Sequence, residues 1–174
     1  MLEIQRRVLG PEHPDTLTSM YNLAVTLREQ GKLAAARKLQ EEALEIRKRV
    51  LGSEHPETLK SMGNLAVTLG EQGKLVEARK LHEETLEIRK RVLGPEHPDT
   101  LSSIHSLAHV LRDRGELAAA RKFFEEALEI QKRVLGSAHP DTLRSMNCLA
   151  ISQAVPKERA AVAIAAGRPR LARS

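Results

Sequence analysis

The chain has 174 residues, with 28 Lys and Arg against 23 Asp and Glu for a formal net charge of +5, 2% aromatic residues, no Trp and one Cys. The single Cys148 excludes an intrachain disulfide framework and fits a reducing compartment. No stretch approaches about 18 uncharged apolar residues, which excludes a membrane-spanning helix.

Most of the excess positive charge sits in one place. Residues 154–174 hold Lys157, Arg159, Arg168, Arg170 and Arg173 against Glu158, so the rest of the chain is nearly neutral. A surface that tracks phosphates needs clustered cations with stacking aromatics. The body offers neither, so no nucleic-acid or membrane partner is expected. The opening MLEIQRRVLG lacks a signal-peptide apolar run, and a cytoplasmic location is the expectation.

In chain order, residues 2–10 (LEIQRRVLG) match LEIRKRVLG at 44–52, so the chain is expected to open on the end of a second helix from a preceding repeat. A motif then recurs four times: LGPEHPDTL at Leu9–Leu17, LGSEHPETL at Leu51–Leu59, LGPEHPDTL at Leu93–Leu101 and LGSAHPDTL at Leu135–Leu143. His13, His55, His97 and His139 are each 42 residues apart. A constant period of this size predicts a solenoid whose units stack to bury their apolar faces. The units run over 11–52, 53–94 and 95–136, with the first helix of a fourth over 137–153.

Each unit reads as two helices. In the first, Leu17, Met20, Leu23, Ala24 and Leu27 make an apolar stripe. Pro14 and Asp15 mark its start, His13 is held extended before the proline, and Gly31 marks its end. A second helix follows from about Leu33, with Leu33, Ala36, Leu39, Ala43, Leu44 and Val50 on its apolar side. Glu41, Glu42 and Glu45 precede Arg47, Lys48 and Arg49, which predicts i,i+4 pairs on a solvated face. Gly52 permits the left-handed turn into the next unit. The first two units differ at nine of 42 positions and the first and third at twelve. Beyond residue 153 the pattern fails; an Ala-rich capping helix over 158–166 and a disordered basic end are expected.

Met20, Leu23-Ala24, Leu27, Gly31, Ala36, Gln40 and Ala43, with their counterparts Met62 to Thr85 and Ile104 to Ala127, resemble the tetratricopeptide repeat. NLAVTLREQGK and ALEIRKRV are similar to the long form found in kinesin light chain. The resemblance implies an all-α, right-handed α-α superhelix of helical hairpins. Gly31-Lys32 and Gly73-Lys74 lack the rest of a phosphate loop and Cys148 lacks a base–orienter pair, so no enzymatic activity or cofactor is expected. The resemblance also implies a concave groove, lined by the first helices, that binds a peptide or protein segment. Carried over position by position, that groove takes Thr18, Tyr21, Asn22, Val25 and Arg28 from the first unit. Lys60, Gly63, Asn64 and Val67 follow from the second, then Ser102, His105, Ser106, His109 and Arg112, with Arg144, Asn147 and Cys148 from the fourth. Asn22 and Asn64 fall where an amide can both donate to and accept from a peptide backbone.

Two alternatives stand beside this expectation: self-association through exposed repeat ends, giving a homo-oligomer, or a sensor arm within a larger NTPase or signalling protein. The His-Pro histidines are one unit apart, too far to share an ion, and are expected to cap helices. His105 and His109 have the H-x-x-x-H spacing of helical zinc sites, and Cys148 falls on the next first helix. No Glu lies between the two histidines. They are read as polar groove residues, with no metal expected.

Overall fold

A computed structural model describes residues 2–152; the expected capping helix and basic end lie outside the described residues. The described chain is a row of antiparallel helices: α1 (Leu2–Val8), α2 (Pro14–Glu29), α3 (Leu33–Leu51), α4 (Pro56–Glu71), α5 (Leu75–Leu93), α6 (Pro98–Asp113) and α7 (Leu117–Leu135). An eighth helix, α8, occupies residues 140–152. Each helix packs on the next in chain order, and α4 also touches α6. Among the described residues there is no strand, and no helix is long and apolar enough to cross a membrane.

The His-Pro motif starts each first helix. His13 is extended (ψ 137°), Pro14 takes the first turn, and the Asp15 amide donates to His13 Nδ1 at 3.2 Å. The same cap forms at His55, His97 and His139. An imidazole nitrogen thus satisfies one of the amides that a helix start leaves without a partner. The other end closes on glycine. Gly31, at φ 74°, donates to Arg28 O, and the Lys32 amide donates to Leu27 O at 2.9 Å. These two bonds form a Schellman stop.

The core is a line of small clusters at the helix junctions. Leu17, Met20, Ala43 and Ile46 form one, and Leu44, Leu59, Met62, Leu65 and Ala78 the next. Ile104, Leu107, Ala120, Phe124 and Ala127 belong to the third. Alanines at 24, 36, 66, 78, 108 and 120 are at most 1% exposed, because helices meet there too closely for a larger side chain.

Three expectations are corrected. Val50 is 46% exposed: six steps of about 100° turn it roughly 120° from Leu44 around the helix. Leu23 is 40% exposed, although its counterparts Leu65 and Leu107 are buried, because α2 has only the seven-residue α1 before it. The charge run is not a solvated face throughout. Arg47 is buried, with its guanidinium donating to Ser61 Oγ and lying 3.6 Å from Glu57.

The expected Glu45–Arg49 pairing gives way to one ladder of ion pairs that ties each unit's second helix to its own opening turn and a second ladder that joins successive units. Arg49 meets Glu12, Arg91 meets Glu54 at 2.6 Å, and Arg133 meets Glu96. A second ladder joins Arg6 to Glu42, Lys48 to Glu84 and Lys90 to Glu126. The i,i+4 pairs that do form start from Arg37, Arg79 and Arg121, whose partners are Glu41, Glu83 and Glu125.

Candidate groove along the first helices

Successive first helices α2, α4, α6 and α8 bring many of the expected groove residues into two adjoining cavities. One, of about 490 Å³, is lined by Tyr21, Lys60, Gly63, Asn64 and Val67 together with Ser102 and Ser106. The other, of about 550 Å³, is lined by Ser102, His105, Ser106, His109 and Arg144. Ser102 and Ser106 border both, so the two form one continuous depression. Thr18, Asn22, Val25, Arg28, Arg112 and Asn147 line neither cavity. Thr18, Asn22 and Asn147 are exposed, while Arg28 reaches Glu71 at 4.0 Å and Arg112 pairs with Asp113.

The second helices contribute residues that the alignment of first helices misses. His82 and Arg89 of α5 line the first cavity, and Gln131, Val134 and Leu135 of α7 line the second. A signal was present in the sequence. Positions 40, 82 and 124 hold Gln, His and Phe in otherwise near-identical units, and positions 47, 89 and 131 hold Arg, Arg and Gln.

A repeated contact ties the second helices to the groove. Arg47 donates to Ser61, Arg89 donates to Ser103 Oγ at 2.8 Å and to Asp99 O at 2.9 Å, and Gln131 accepts from Ser145. Burial pulls both guanidiniums below the usual arginine value, with Glu57 and Asp99 opposing it. Of the two, Arg89 lines the first cavity, together with Asp99. Lys60 lies 5.0 Å from the centre of the Tyr21 ring, a cation–π distance that fixes both side chains at the rim. Asn64 lines the same cavity, with its Nδ2 buried and without a hydrogen-bond partner.

The second cavity has a different floor. Phe124 is fully buried, and the rings of His105 and His109 pack on it with centroid separations of 5.7 and 5.2 Å. Burial is the main cause that lowers both histidines from the ordinary value; their mutual repulsion and Arg144 add to it at His105, and Arg112 adds at His109. Both rings are therefore neutral at pH 7, each with one lone pair to offer. His105 Nε2 lies 2.8 Å from Ser145 Oγ, and His109 Nε2 lies 4.0 Å from Cys148 Sγ.

The tetratricopeptide repeat family model matches residues 2–49, 21–91, 62–130 and 101–168. A search of curated proteins finds no match. Among solved structures, the chain is similar to a Podosopora anserina kinesin light chain with nearly identical repeats, at 34% identity and a TM-score of 0.79. That match covers 91% of this chain and 75% of the other. BtubC from P. vanneervenii shares the fold at 22% identity and a TM-score of 0.72, covering 93% of this chain and 70% of that one. The Sgt2 repeat domain of Aspergillus fumigatus does so at 15% and 0.56, covering 93% and 89%. The 42-residue hairpins, their small-residue contacts and these matches agree: the chain belongs to the tetratricopeptide repeat family, in its long, kinesin-light-chain-like form.

Proposed function

We propose that this chain is a non-catalytic binding module that holds an extended or helical polypeptide segment in the groove along α2, α4, α6 and α8. Repeats of this family serve protein–protein interaction and scaffolding. The observation that carries the groove assignment is the continuity of the two cavities through Ser102 and Ser106. Asn64 adds to it. It lines the first cavity, and a side-chain amide can both donate to and accept from a peptide backbone. Lys60 and Arg89 line this cavity together with Glu57 and Asp99, so its wall offers both signs of charge to a polar segment.

Peptides selected from a displayed random library on the full chain test this. Replacing Asn64 with Ala should weaken a selected peptide roughly tenfold while leaving helicity unchanged in circular dichroism. Asn22→Ala, outside both cavities, should change affinity less than twofold or so. Equal affinity for wild type and Asn64→Ala would move the site elsewhere.

Self-association through the repeat ends is the second reading. It is favoured by Ile4 and Val8 on α1, which are 57% and 68% exposed, and by Leu143 on α8, which is 52% exposed. Light scattering over a concentration series separates the two, since a constant monomer mass disfavours stacking.

A further inference from the structure

Two of the seven histidines and the single cysteine converge on one point. One ligand atom from each of His105, His109 and Cys148 lies within 4.8 Å of the other two. All three side chains are half-buried. They come from two helices, His105 and His109 one turn apart on α6 and Cys148 on α8. Among the described residues no other His, Cys, Asp and Glu group of this kind occurs.

The repeat supplies an internal control. The same three places between the first and second units hold Tyr21, Val25 and Asn64, and between the second and third Gly63, Val67 and Ser106. Neither set can bind a metal, since they offer one amide or one hydroxyl apiece beside apolar or phenolic groups. Departures from a near-identical repeat that fall at three separate sequence positions therefore meet at one point in space. A fourth departure lies beneath them. Phe124 stands where the other units have Gln40 and His82, and both histidine rings rest on it. An apolar floor excludes water from one side of the cluster and lowers the local dielectric.

We propose that His105, His109 and Cys148 form a three-ligand site for a single borderline-soft divalent cation of the Zn²⁺ type. Two imidazoles and a thiolate suit such an ion, whereas Mg²⁺ and Ca²⁺ require oxygen donors. Metal–nitrogen bonds near 2.0 Å and metal–sulfur bonds near 2.3 Å place tetrahedral ligands roughly 3.3–3.6 Å apart. The Cys148 Sγ to His109 Nε2 separation of 4.0 Å is close to this, and side-chain rotations of about 1 Å bring the set into range. The Ser145 hydroxyl, itself bonded to Gln131, lies 2.8 Å from His105 Nε2, so that ligation through Nδ1 makes it the outer support that orients the ring. The nearby charges balance, with Arg144 and Asp141 by His105 and Arg112 and Asp113 by His109. His105 and His109 also line the 550 Å³ cavity, which leaves the fourth coordination position open to water from the groove. The site does not depend on the peptide assignment, because it needs no bound segment.

Cobalt(II) titration of the reduced full-length chain tests the proposal, with Zn²⁺ as the competitor. Wild type should bind one Co²⁺ with a thiolate-to-metal charge-transfer band in the near ultraviolet and tetrahedral bands in the visible, both bleached by stoichiometric Zn²⁺. Cys148→Ser and His109→Val place at each position a residue that another unit carries there, so both variants keep the fold. Cys148→Ser should lose the charge-transfer band, and His109→Val should lose the tetrahedral bands and bind Zn²⁺ at least roughly tenfold more weakly. Zn²⁺ at modest excess should raise the melting temperature of wild type and leave that of His109→Val unchanged. Absence of the charge-transfer band in wild type, or wild-type Zn²⁺ affinity in His109→Val, would overturn the site.

Discussion

His82 is where burial of a single side chain has the clearest consequence in solution. It lies in α5 at 3% exposure, and desolvation, with Arg89 adding to it, pushes its pKa down to about 4. An unfolded chain takes up a proton near pH 6.5 that the folded chain refuses until about pH 4. Stability is therefore complete above about pH 6.5 and falls as the pH drops toward 4, by on the order of 3 kcal/mol from this residue. In His82→Gln, which carries the residue found at the buried equivalent Gln40, that part of the acid sensitivity should vanish. Urea unfolding of both proteins at pH 7 and pH 4 reads the difference; equal losses in the two would show that His82 is not the group responsible. The family resemblance carried over Tyr21, Lys60, Asn64, Ser102, His105 and Ser106, and these six line the two cavities. It missed His82 and Arg89, whose helix belongs to the opposite layer. Which second-helix residues reach between two first helices depends on the packing angle, and periodicity does not carry that. Cys148 was legible in the sequence as a residue of the next first helix, and its Sγ lies 4.0 Å from His109 Nε2.

At the scale of the helices, starts and stops were almost wholly written in the sequence. The His-Pro dipeptide defines the extended residue, the first helical proline and the capping imidazole together, so four copies gave four helix starts. Gly52 and Gly94 end the second helices at φ 90° and 88° with ψ 163°, a conformation open essentially only to glycine. Gly94→Ala should cost about 1–3 kcal/mol in urea unfolding even though no atom lies within 4 Å of the added Cβ, because the penalty is in the backbone itself. Gly63 is the opposite case. It sits inside α4 with ordinary helical backbone and open space around it, so Gly63→Ala should stabilise by about 0.5–1 kcal/mol. Opposite signs for two glycine-to-alanine changes are the check, and a shared sign would mean that the turn or helix assignment is wrong. What the helices do with their charges was less legible. Glu45 and Arg49 are spaced to pair within a helix, yet Arg49 is drawn to Glu12 of its own unit's opening turn. Intrahelical spacing is a local property, while the competing partner is 37 residues away.

Across the whole molecule, near-identical units bury similar small clusters at each junction, and ion-pair ladders at 36- and 37-residue separations run alongside. Because these ladder pairs are substantially exposed, each contributes little stability, about 0–1 kcal/mol, and apolar contact between neighbours carries the assembly. Several of the differences between units fall on the surface that faces the groove. Tyr21, Gly63 and His105 share one position, and Val25, Val67 and His109 another. The depression therefore changes along its length from a lining of mixed charge and amide groups to one of imidazoles, while the helices behind it repeat. The central claim is that this depression, and not the outer face, meets a partner polypeptide. Amide chemical-shift mapping by nuclear magnetic resonance with a library-selected peptide tests it most directly. Shifts should cluster on α4 and α6, at Lys60, Asn64, Ser102 and Ser106, and leave the outward-facing Glu45, Glu87 and Glu129 unmoved; a footprint centred on those three glutamates would contradict it.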